Sequence, residues 1–348
     1  MKSFFRKDIL EMSGYVPGEQ PKEKGIVKLN TNENPFPPSR KIKKYLSTLD
    51  IGILRLYPNP ESCELRKIIA DKFAVKESNV IVGNGSDDIL NMIVRCCTDK
   101  KKTMAYFDPS YSLYPVLAEI QGTECVKISL EKDFSIPTEI PRKGLDSSLF
   151  MITRPNAPTS NSFPKKRIRE ICSKSKGIVL VDEAYADFAE DDCIDLLGKY
   201  KNLVICRTLS KSYSLAGIRL GFAIASEEII SQMMKVKDSY NVNRISQEIA
   251  KIAILDNENF ERNINLIKSN RKFLIDSLRK KGFKVIDSQT NFVFAAPPGK
   301  SGKNAKETYL HLKKNRVLVR YFPGKTTGKY LRITVGTKLE LDKLISLI

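Results

Sequence analysis

Short apolar runs that alternate with amphipathic segments limit the possible fold of this chain more than any other feature. The apolar runs predict seven β-strands, at residues 79–82, 103–107, 124–130, 148–153, 177–181, 202–206 and 221–225. Helical patterns between them cover residues 87–97, 111–121 and 164–175. Because the strands are apolar along their whole length, both of their faces are expected to be buried. We therefore predict an α/β fold with a mainly parallel sheet that is covered by helices on both faces.

The two ends of the chain differ in pattern from its middle. Residues 1–35 are rich in glycine and proline and lack periodicity, which predicts an N-terminal arm that packs back onto a second domain. Long helical patterns follow residue 227, and the last part of the chain mixes strands and helices. We predict a large domain at 36–240 and a smaller α+β C-terminal domain at 241–348.

The chain carries a net charge of +19 over 348 residues, and three explanations for this compete. Nucleic-acid binding would cluster basic residues with interleaved aromatics, and anionic substrates would require a positive field around a cleft. A lysine-rich bias would instead spread the charge over helix faces, as short groups such as 41–44, 99–102 and 165–167 indicate. We favour bias together with attraction of phosphorylated substrates, and we predict no nucleic-acid partner.

Cysteine usage and the length of the apolar runs bear on the compartment. The seven cysteines are odd in number and form no Cys-x-x-Cys pair, and His311 is the single histidine. These features predict reduced thiols and no metal site. No apolar run approaches the roughly 20 residues that cross a bilayer, and Met1–Asp8 lacks the apolar core of a signal peptide. We expect a cytoplasmic protein without membrane contact.

The segment Thr208–Arg219 places one lysine, Lys211, among hydroxyl groups and ahead of an arginine. A lysine amine can bond covalently to an aldehyde, while Thr208, Ser210 and Arg219 can neutralise a phosphate. The segment would suit an aldehyde cofactor that has a phosphate tail. A Ser-Lys pair in a loop is also a common solvated turn, so the pattern alone is only suggestive.

Ligands of open α/β sheets bind at the carboxyl ends of the strands. Gly85, Ser86 and Asp87 follow strand 79–82 where a helix begins, and free backbone N–H groups there can hold a phosphate. The alternative is a plain turn in which Ser86 or Asp87 caps the helix.

The end of strand 177–181 carries the pair Asp182 and Tyr185. A carboxylate at this place can keep a pyridine nitrogen protonated, and a tyrosine three residues later can donate to a ring oxygen. The alternative is a helix cap followed by a core aromatic residue.

Two further strand ends carry weaker signals. Tyr111, after strand 103–107, can stack on a flat ring, or it is a core aromatic at a helix start. Asn156, between two prolines after strand 148–153, can be aimed at a cofactor edge, or it belongs to an ordinary turn. Together with Lys211, the four strand ends form a strong pattern.

On these residues the chain closely resembles the fold-type I pyridoxal-phosphate aminotransferases, from about residue 15 to 340. The resemblance implies that Lys211 bonds to the cofactor aldehyde, that Asp182 pairs with the pyridine nitrogen and that Tyr185 contacts the phenolate oxygen. It implies that Tyr111 stacks on the ring. The implied phosphate ligands are Thr208, Ser210, Arg219 and the backbone of Gly85, Ser86 and Asp87.

Within that superfamily, the stretches 14–20, 29–35, 57–60, 317–322 and 330–337 resemble the histidinol-phosphate aminotransferases. This likeness implies amino transfer between L-histidinol phosphate and 2-oxoglutarate in a homodimer. Tyr57 would then reach the phosphate of the partner's cofactor. Arg320 and Arg332 would bind the far anion of the substrate, and Tyr15 and Asn32 would line the pocket.

The chain departs from the superfamily pattern Asn-Pro-Thr-Gly, since Ala157 replaces the asparagine and Ser160 the glycine. Asn156 then serves from one position earlier, or the contact is missing. The other functions that we weighed are a threonine-phosphate decarboxylase, an aromatic aminotransferase, and a regulatory or nucleic-acid-binding protein.

Overall fold

The computed structural model describes residues 4–299 and 304–348, so residues 1–3 of the predicted arm lie outside it. The described residues form thirteen strands: β1 (Val27–Lys28), β2 (Val80–Gly83), β3 (Thr103–Asp108), β4 (Glu124–Ser129), β5 (Leu149–Thr153), β6 (Ile178–Asp182), β7 (Leu203–Thr208), β8 (Gly221–Ala225), β9 (Lys284–Val285), β10 (Phe292–Ala296), β11 (Val317–Leu318), β12 (Arg320–Tyr321) and β13 (Leu331–Thr334).

The same part of the chain forms twelve α-helices: α1 (Lys7–Glu11), α2 (Arg40–Ser47), α3 (Cys63–Phe73), α4 (Ser86–Cys97), α5 (Leu113–Gln121), α6 (Arg142–Leu145), α7 (Lys165–Lys174), α8 (Glu227–Val236), α9 (Arg244–Leu255), α10 (Asn257–Lys280), α11 (Ala305–Lys314) and α12 (Lys338–Ser346). None of the helices described combines the length and the hydropathy that a bilayer crossing requires.

A seven-stranded sheet forms the centre of the molecule, in the order β2-β8-β7-β6-β5-β3-β4. The pairs from β7 to β4 are parallel, and β8 alone runs antiparallel to both of its neighbours. The predicted mainly parallel sheet and its seven strands are therefore confirmed. The reversed direction of β8 was not predicted.

Helices cover both faces of this sheet, as the apolar runs predict. Leu180 of β6 packs into a core that includes α4, α5 and α8. Its neighbours Val179 and Val181 point to the opposite face, into a core with α7. On that face, α3 and α9 pack over β2 and β8. Because successive side chains of a strand alternate between faces, an entirely apolar strand satisfies both layers.

A second, antiparallel sheet follows in the order β12-β13-β10-β9. Its core is shared with α10, α11 and α12, which confirms the α+β arrangement of the C-terminal part. The N-terminal arm packs beside this sheet. Strand β1 of the arm pairs in parallel with β11, and the Thr334 amide of β13 donates to the Leu29 carbonyl of the arm at 3.0 Å. The arm thus contacts the C-terminal strands, and the division into an arm and two domains stays a prediction.

The predicted boundary at 240/241 remains a prediction. Helix α9 follows it, yet Ile249 and Ala250 of α9 are buried in the core of the large sheet. Helix α10 instead buries Ile264 and Ile267 in the core of the small sheet. The change from one core to the other falls at Asp256, between α9 and α10.

Candidate active site

A cavity of about 420 Å³ lies where the carboxyl ends of β5, β6 and β7 meet the arm and the small sheet. Its volume falls within the range of small-molecule sites. Most of the residues predicted for the site line it: Tyr15, Asn32, Ser86, Asp87, Tyr111, Asp182, Tyr185, Thr208, Ser210, Lys211, Arg219, Arg320 and Arg332. The fold thus gathers groups that are up to 317 residues apart in the sequence, since Tyr15 and Arg332 both line this cavity (332 − 15 = 317).

Lys211 follows β7 and places its amine inside this cavity. The Lys211 Nζ lies 3.5 Å from the Thr31 carbonyl and 6.0 Å from the centre of the Tyr185 ring. Burial, aided by the charge of Arg332, lowers the pKa of Lys211 to about 8, against the opposing charges of Glu33 and Asp87. The amine therefore loses its proton more readily than an ordinary lysine, as suits a nucleophile towards an aldehyde.

Asp182 is the last residue of β6, and its side chain lies at the bottom of the cavity. It accepts hydrogen bonds from the Ala184 amide at 3.1 Å and from the Tyr114 hydroxyl at 3.0 Å. Burial raises the pKa of Asp182 to about 6. A buried carboxylate that is fixed in this way can hold the proton of a bound ring nitrogen, because a positive partner offsets its desolvation. Tyr114 was not predicted, since it lies within the apolar pattern of α5.

The Tyr185 hydroxyl is fixed from the side of the arm. Asn32 Nδ2 donates to it at 2.9 Å, and Asn32 Oδ1 accepts from the Thr334 hydroxyl at 3.1 Å. The Tyr185 ring packs edge-on against Phe292 at 5.0 Å between centres. Because its oxygen already accepts a hydrogen bond, the hydroxyl proton is free to be donated into the cavity.

A cradle for an anion lies beside Lys211. The first N–H groups of α4 have no side-chain cap, since its N-cap is Gly85. The Thr208 hydroxyl lies 3.0 Å from that of Ser210. A Cβ on Gly85 would stand 2.6 Å from Arg219 Nη2, so only glycine allows this approach of the guanidinium. Backbone N–H groups, two hydroxyls and one guanidinium are a donor set that suits a phosphate.

Asp87 ties the cradle to an aromatic wall. It accepts from Arg219 Nη2 at 3.0 Å and from the Tyr111 hydroxyl at 3.1 Å. Burial raises the pKa of Tyr111, so this group stays protonated. The Tyr111 ring meets Tyr15 of the arm edge-on at 6.1 Å between centres.

Two arginines on adjacent strands form the opposite wall. Arg320 of β12 pairs in register with Arg332 of β13. Arg320 donates to the carbonyls of Val16 and Pro17, and Arg332 Nη2 donates to the Asn30 carbonyl at 2.9 Å. Neither forms an ion pair with a carboxylate of the described residues. Burial, with the charge of Arg320, lowers the pKa of Arg332. Two neighbouring cations without a counter-ion are suited to a ligand anion.

Two predicted residues lie away from the cavity. Tyr57 is 77% exposed and stacks on Tyr240 at 4.5 Å between ring centres. Asn156 is buried behind the wall, where its Nδ2 donates to the Pro109 carbonyl and the Thr159 hydroxyl. Its Oδ1 has no hydrogen-bond partner within the described part of the chain. The cofactor roles of Tyr57 and Asn156 remain predictions.

Some lining residues escaped the sequence reasoning. Glu33 faces the cavity and accepts hydrogen bonds from Lys28 and Thr31, which lower its pKa against the effect of burial. Glu33 lies inside the arm stretch 29–35, so that motif could have pointed to it as a residue of the site. Thr153 also lines the wall and bonds the Tyr114 hydroxyl at 2.9 Å. Among the described residues there is no cluster of side chains that could hold a metal ion.

Comparison with known proteins adds independent information to this geometry. The family model for aminotransferase class I and II matches residues 24–348. A histidinol-phosphate aminotransferase from Microcystis aeruginosa is 41% identical over 343 residues, which cover 99% of this chain and 97% of that protein. One from Geobacter sulfurreducens is 40% identical, over 98% of this chain and 97% of that protein.

Solved structures share the fold. A histidinol-phosphate aminotransferase from Sinorhizobium meliloti, in complex with pyridoxal 5'-phosphate, aligns with a TM-score of 0.87 at 21% identity, over 99% of this chain and 96% of that one. An L-threonine-O-3-phosphate decarboxylase from Porphyromonas gingivalis aligns with a TM-score of 0.80 at 20% identity, over 92% of this chain and 98% of that one. At these identities the structural likeness shows the fold alone.

Proposed function

The chain belongs to the class I and II aminotransferase family, and on this premise we propose that it transfers an amino group between L-histidinol phosphate and 2-oxoglutarate. The products are imidazole-acetol phosphate and L-glutamate, and the reaction belongs to histidine biosynthesis. The name shared by relatives at about 40% identity over nearly the whole chain supports this substrate pair.

Pyridoxal 5'-phosphate fits the residues of the cavity. The cradle of Ser86, Thr208, Ser210 and Arg219 suits its phosphate, and the close approach that Gly85 permits supports this assignment. Asp182 would hold the ring nitrogen, and Tyr185 would donate to the ring oxygen. When bound, this cofactor supplies an aldehyde carbon that bonds to amines and a ring that takes up electron density from the substrate carbon.

Lys211 performs the proton transfers of the proposed reaction. With the cofactor bound, its Nζ would be the amine that bonds to the aldehyde carbon. As a free amine it would hold the proton that leaves the substrate carbon and give it back in the same cavity. The lowered pKa of Lys211 supports this role, because a base must be unprotonated at the operating pH. The single histidine, His311, lies on α11 and is not needed.

The substrate assignment rests mainly on the presence of Arg320 and Arg332 in the cavity. Histidinol phosphate has no α-carboxylate but carries a phosphate, while glutamate carries two carboxylates. One pocket must therefore accept a phosphate in one half-reaction and a carboxylate in the other. Guanidinium groups bind both oxyanions in forked geometry, and both arginines line the same cavity as Lys211.

We further propose a homodimer in which each site is completed by Tyr57 of the other subunit. Tyr57 lies outside its own cavity and is 77% exposed. Ile51, Leu54 and Leu56 near it are more than half exposed, at 76%, 53% and 51%. A continuous exposed apolar segment of this kind is typical of a protein interface. Tyr57 would then reach the phosphate of the partner's cofactor.

We propose the cytoplasm as the compartment. All seven cysteines are free thiols, and three of them, Cys172, Cys193 and Cys206, are buried. Thiols that remain unpaired suit a reducing environment.

A half-reaction tests the proposed function. The purified yellow protein is mixed separately with L-histidinol phosphate, L-glutamate and L-phenylalanine, and the loss of the cofactor's visible absorbance is recorded. Histidinol phosphate and glutamate are expected to bleach the band, and 2-oxoglutarate should restore it. Bleaching by phenylalanine alone would instead indicate an aromatic aminotransferase. Carbon dioxide released from threonine phosphate without a 2-oxo acid would indicate a decarboxylase.

A further inference from the structure

A cluster of charged residues, centred on the buried side chains of Arg207 and Glu183, lies behind the wall of the cavity and is not used by the proposed mechanism. We define the Arg207 cluster as Arg207, Glu183, Asp187, Asp192 and Ser212. Its centre is Arg207 in β7, which is 5% exposed. None of the five side chains lines the cavity.

Arg207 joins three carboxylates. Its Nε and Nη2 donate to Glu183 Oε2 at 3.0 and 2.7 Å. Its Nη1 donates to Asp187 Oδ1 at 2.9 Å, and Nη2 also donates to Asp192 Oδ2 at 2.8 Å. The Ser212 hydroxyl donates to the other oxygen of Asp187 at 2.5 Å. The guanidinium thus holds the segment after β6 against β7, and Asp187 links that segment to Ser212 in the loop after β7.

The members of this cluster are sequence neighbours of the groups that face the cavity. Glu183 directly follows Asp182, and Ser212 directly follows Lys211. Backbone bonds reinforce the link, since the Glu183 amide donates to the Cys206 carbonyl at 2.8 Å. A shift of Glu183 or Ser212 therefore moves Asp182 or Lys211 with it.

We propose that Arg207 is a positioning residue which, through Glu183 on one side and Asp187 with Ser212 on the other, fixes Asp182 and Lys211 relative to each other. The inference rests on the proposed function, in which these two groups act on the same cofactor.

The charges of the cluster explain why arginine is needed at its centre. Three carboxylates surround one guanidinium, so removal of Arg207 would leave two partly exposed carboxylates facing the fully buried Glu183 without a cation between them. They would take up protons or separate. Lysine retains the charge but cannot donate in fork geometry to Glu183 while also reaching Asp187 and Asp192. Arg207→Lys is therefore expected to loosen both loops without removing the cation.

The test compares Arg207→Lys with Ser212→Ala and with the control Arg66→Lys, each as the cofactor-loaded protein. Arg66 is also buried, pairs with Glu61 and Glu77 and lies outside the cavity. The readouts are the pH midpoint of the cofactor absorbance, the dissociation constant of the cofactor, and kcat and KM measured separately. Thermal unfolding is followed alongside, because a purely structural arginine would change only the melting temperature.

For Arg207→Lys we expect kcat to fall by roughly two orders of magnitude while KM changes little, since misplaced reacting groups reduce the rate more than binding. The pH midpoint should move by about half a unit or more, a change of severalfold in proton affinity. Ser212→Ala should shift the midpoint in the same direction by a smaller amount. Arg66→Lys should lower the melting temperature only.

An unchanged midpoint and unchanged kcat in Arg207→Lys would overturn the proposal, whatever its melting temperature. Should that variant not fold, Ser212→Ala decides, because it removes only the hydrogen bond next to Lys211. A midpoint and kcat equal to those of the wild type in Ser212→Ala would then refute the proposal. Failure of the proposed function is separate, since the wild-type protein would then lack the half-reaction with histidinol phosphate.

Discussion

Asn32 of the N-terminal arm donates a 2.9 Å hydrogen bond to the hydroxyl of Tyr185, which follows the central sheet. The arm, the small sheet and the large sheet meet at this contact, because Asn32 is also bonded to Thr334 of β13. The hydrogen bond from Asn32 determines in which direction the Tyr185 hydroxyl can donate its own proton. The hydroxyl oxygen accepts from Asn32 and leaves its proton for an acceptor inside the cavity.

Tyr185→Phe should raise the pH midpoint of the bound cofactor's colour change. The hydroxyl stabilises the anionic ring oxygen as a hydrogen-bond donor, and its loss favours the protonated form. A spectrophotometric pH titration measures the midpoint. Tyr106→Phe, a buried tyrosine of β3 outside the cavity, serves as the control and should leave the midpoint unchanged. A midpoint that falls in Tyr185→Phe would contradict the donor role.

Lys211→Ala should abolish turnover together with the visible band that reports the covalent bond between lysine and cofactor. No other lysine lines the cavity in the part of the chain that the structure describes, so none is placed to replace it as a nucleophile and proton carrier. Absorbance spectra and mass spectrometry after borohydride reduction check this outcome. Lys41→Ala, which removes an exposed lysine paired with Asp256, is the control. A Lys211→Ala protein that retained both turnover and band would disprove the assignment.

Asp182→Asn should reduce turnover strongly while making the cofactor-free protein more stable. The folded-state pKa of Asp182 is about 6 against an ordinary 3.8, so stability falls as pH rises through that window. At pH 7.5 the penalty approaches about 3 kcal/mol, and asparagine removes it. The melting temperature of the apo-variant should exceed that of the wild type at pH 7.5, and the difference should shrink towards pH 4.

Asp256→Asn should change the stability of the apo-protein in the direction opposite to Asp182→Asn. The hydrogen bond from Ser39, with help from Lys41 and against burial, lowers the pKa of Asp256. Its ionised form therefore adds stability above its ordinary pKa, and that stability is lost as pH falls through the lowered value. Asp256→Asn should destabilise the apo-protein at pH 7.5. Equal shifts in the same direction for both variants would contradict the pKa assignments.

Arg332→Gln should raise KM for histidinol phosphate and for glutamate alike, by roughly two orders of magnitude, because a buried charged hydrogen-bond pair is lost. Its Nε has no hydrogen-bond partner among the described residues, so a donor is available for a ligand oxygen. Steady-state kinetics with each substrate measure the effect. Arg316→Gln, which removes a bond to the arm at Lys24 outside the cavity, should leave both KM values near those of the wild type.

Mixing two inactive proteins tests the shared site. Lys211→Ala and Tyr57→Ala subunits are combined in equal amounts and allowed to exchange. Each mixed dimer then contains one complete site and one that lacks both groups. Because half of the dimers are mixed, activity should recover to about a quarter of the wild-type value. Size-exclusion chromatography confirms the dimer, and no recovery in exchanging dimers would exclude a site shared through Tyr57.

The central sheet could be predicted from the sequence because its strands are short, apolar and bounded by turns. The direction of β8 could not, since Gly221–Ala225 has the same apolar composition as the parallel strands. Its reversal follows from the connection: residues 209–220, between β7 and β8, contain no α-helix that could carry the chain across the sheet in a parallel crossover. The packing of α9 on the large sheet could not be predicted either, because an amphipathic pattern predicts a buried helix face but not which core that face contacts.

The part of the site that follows strand ends was also accessible from the sequence. Asp182 directly follows one apolar run and Lys211 comes five residues after another, and the resemblance added Asn32 and Arg332 from distant stretches. Tyr114 was missed because it lies in a mostly apolar stretch of α5. Only the tertiary structure brings its hydroxyl to Asp182. The Arg207 cluster was missed for a similar reason, since a charged residue within a strand gives no sign of its partners.

The pairing of β1 with β11, in a two-stranded sheet of their own, ties the arm to the side of the cavity formed by the small sheet. Leu29 and Asn30 are bonded to Leu318, Thr334 and Arg332, so a rotation of that sheet would carry Asn32 and Tyr15 as one rigid piece. Such a rotation would open the cavity and would move the arm, Arg320, Arg332 and the Asn32 hydrogen bond to Tyr185 together. In such a movement, the opening of the cavity to solvent and the loss of the Asn32 hydrogen bond to Tyr185 would coincide.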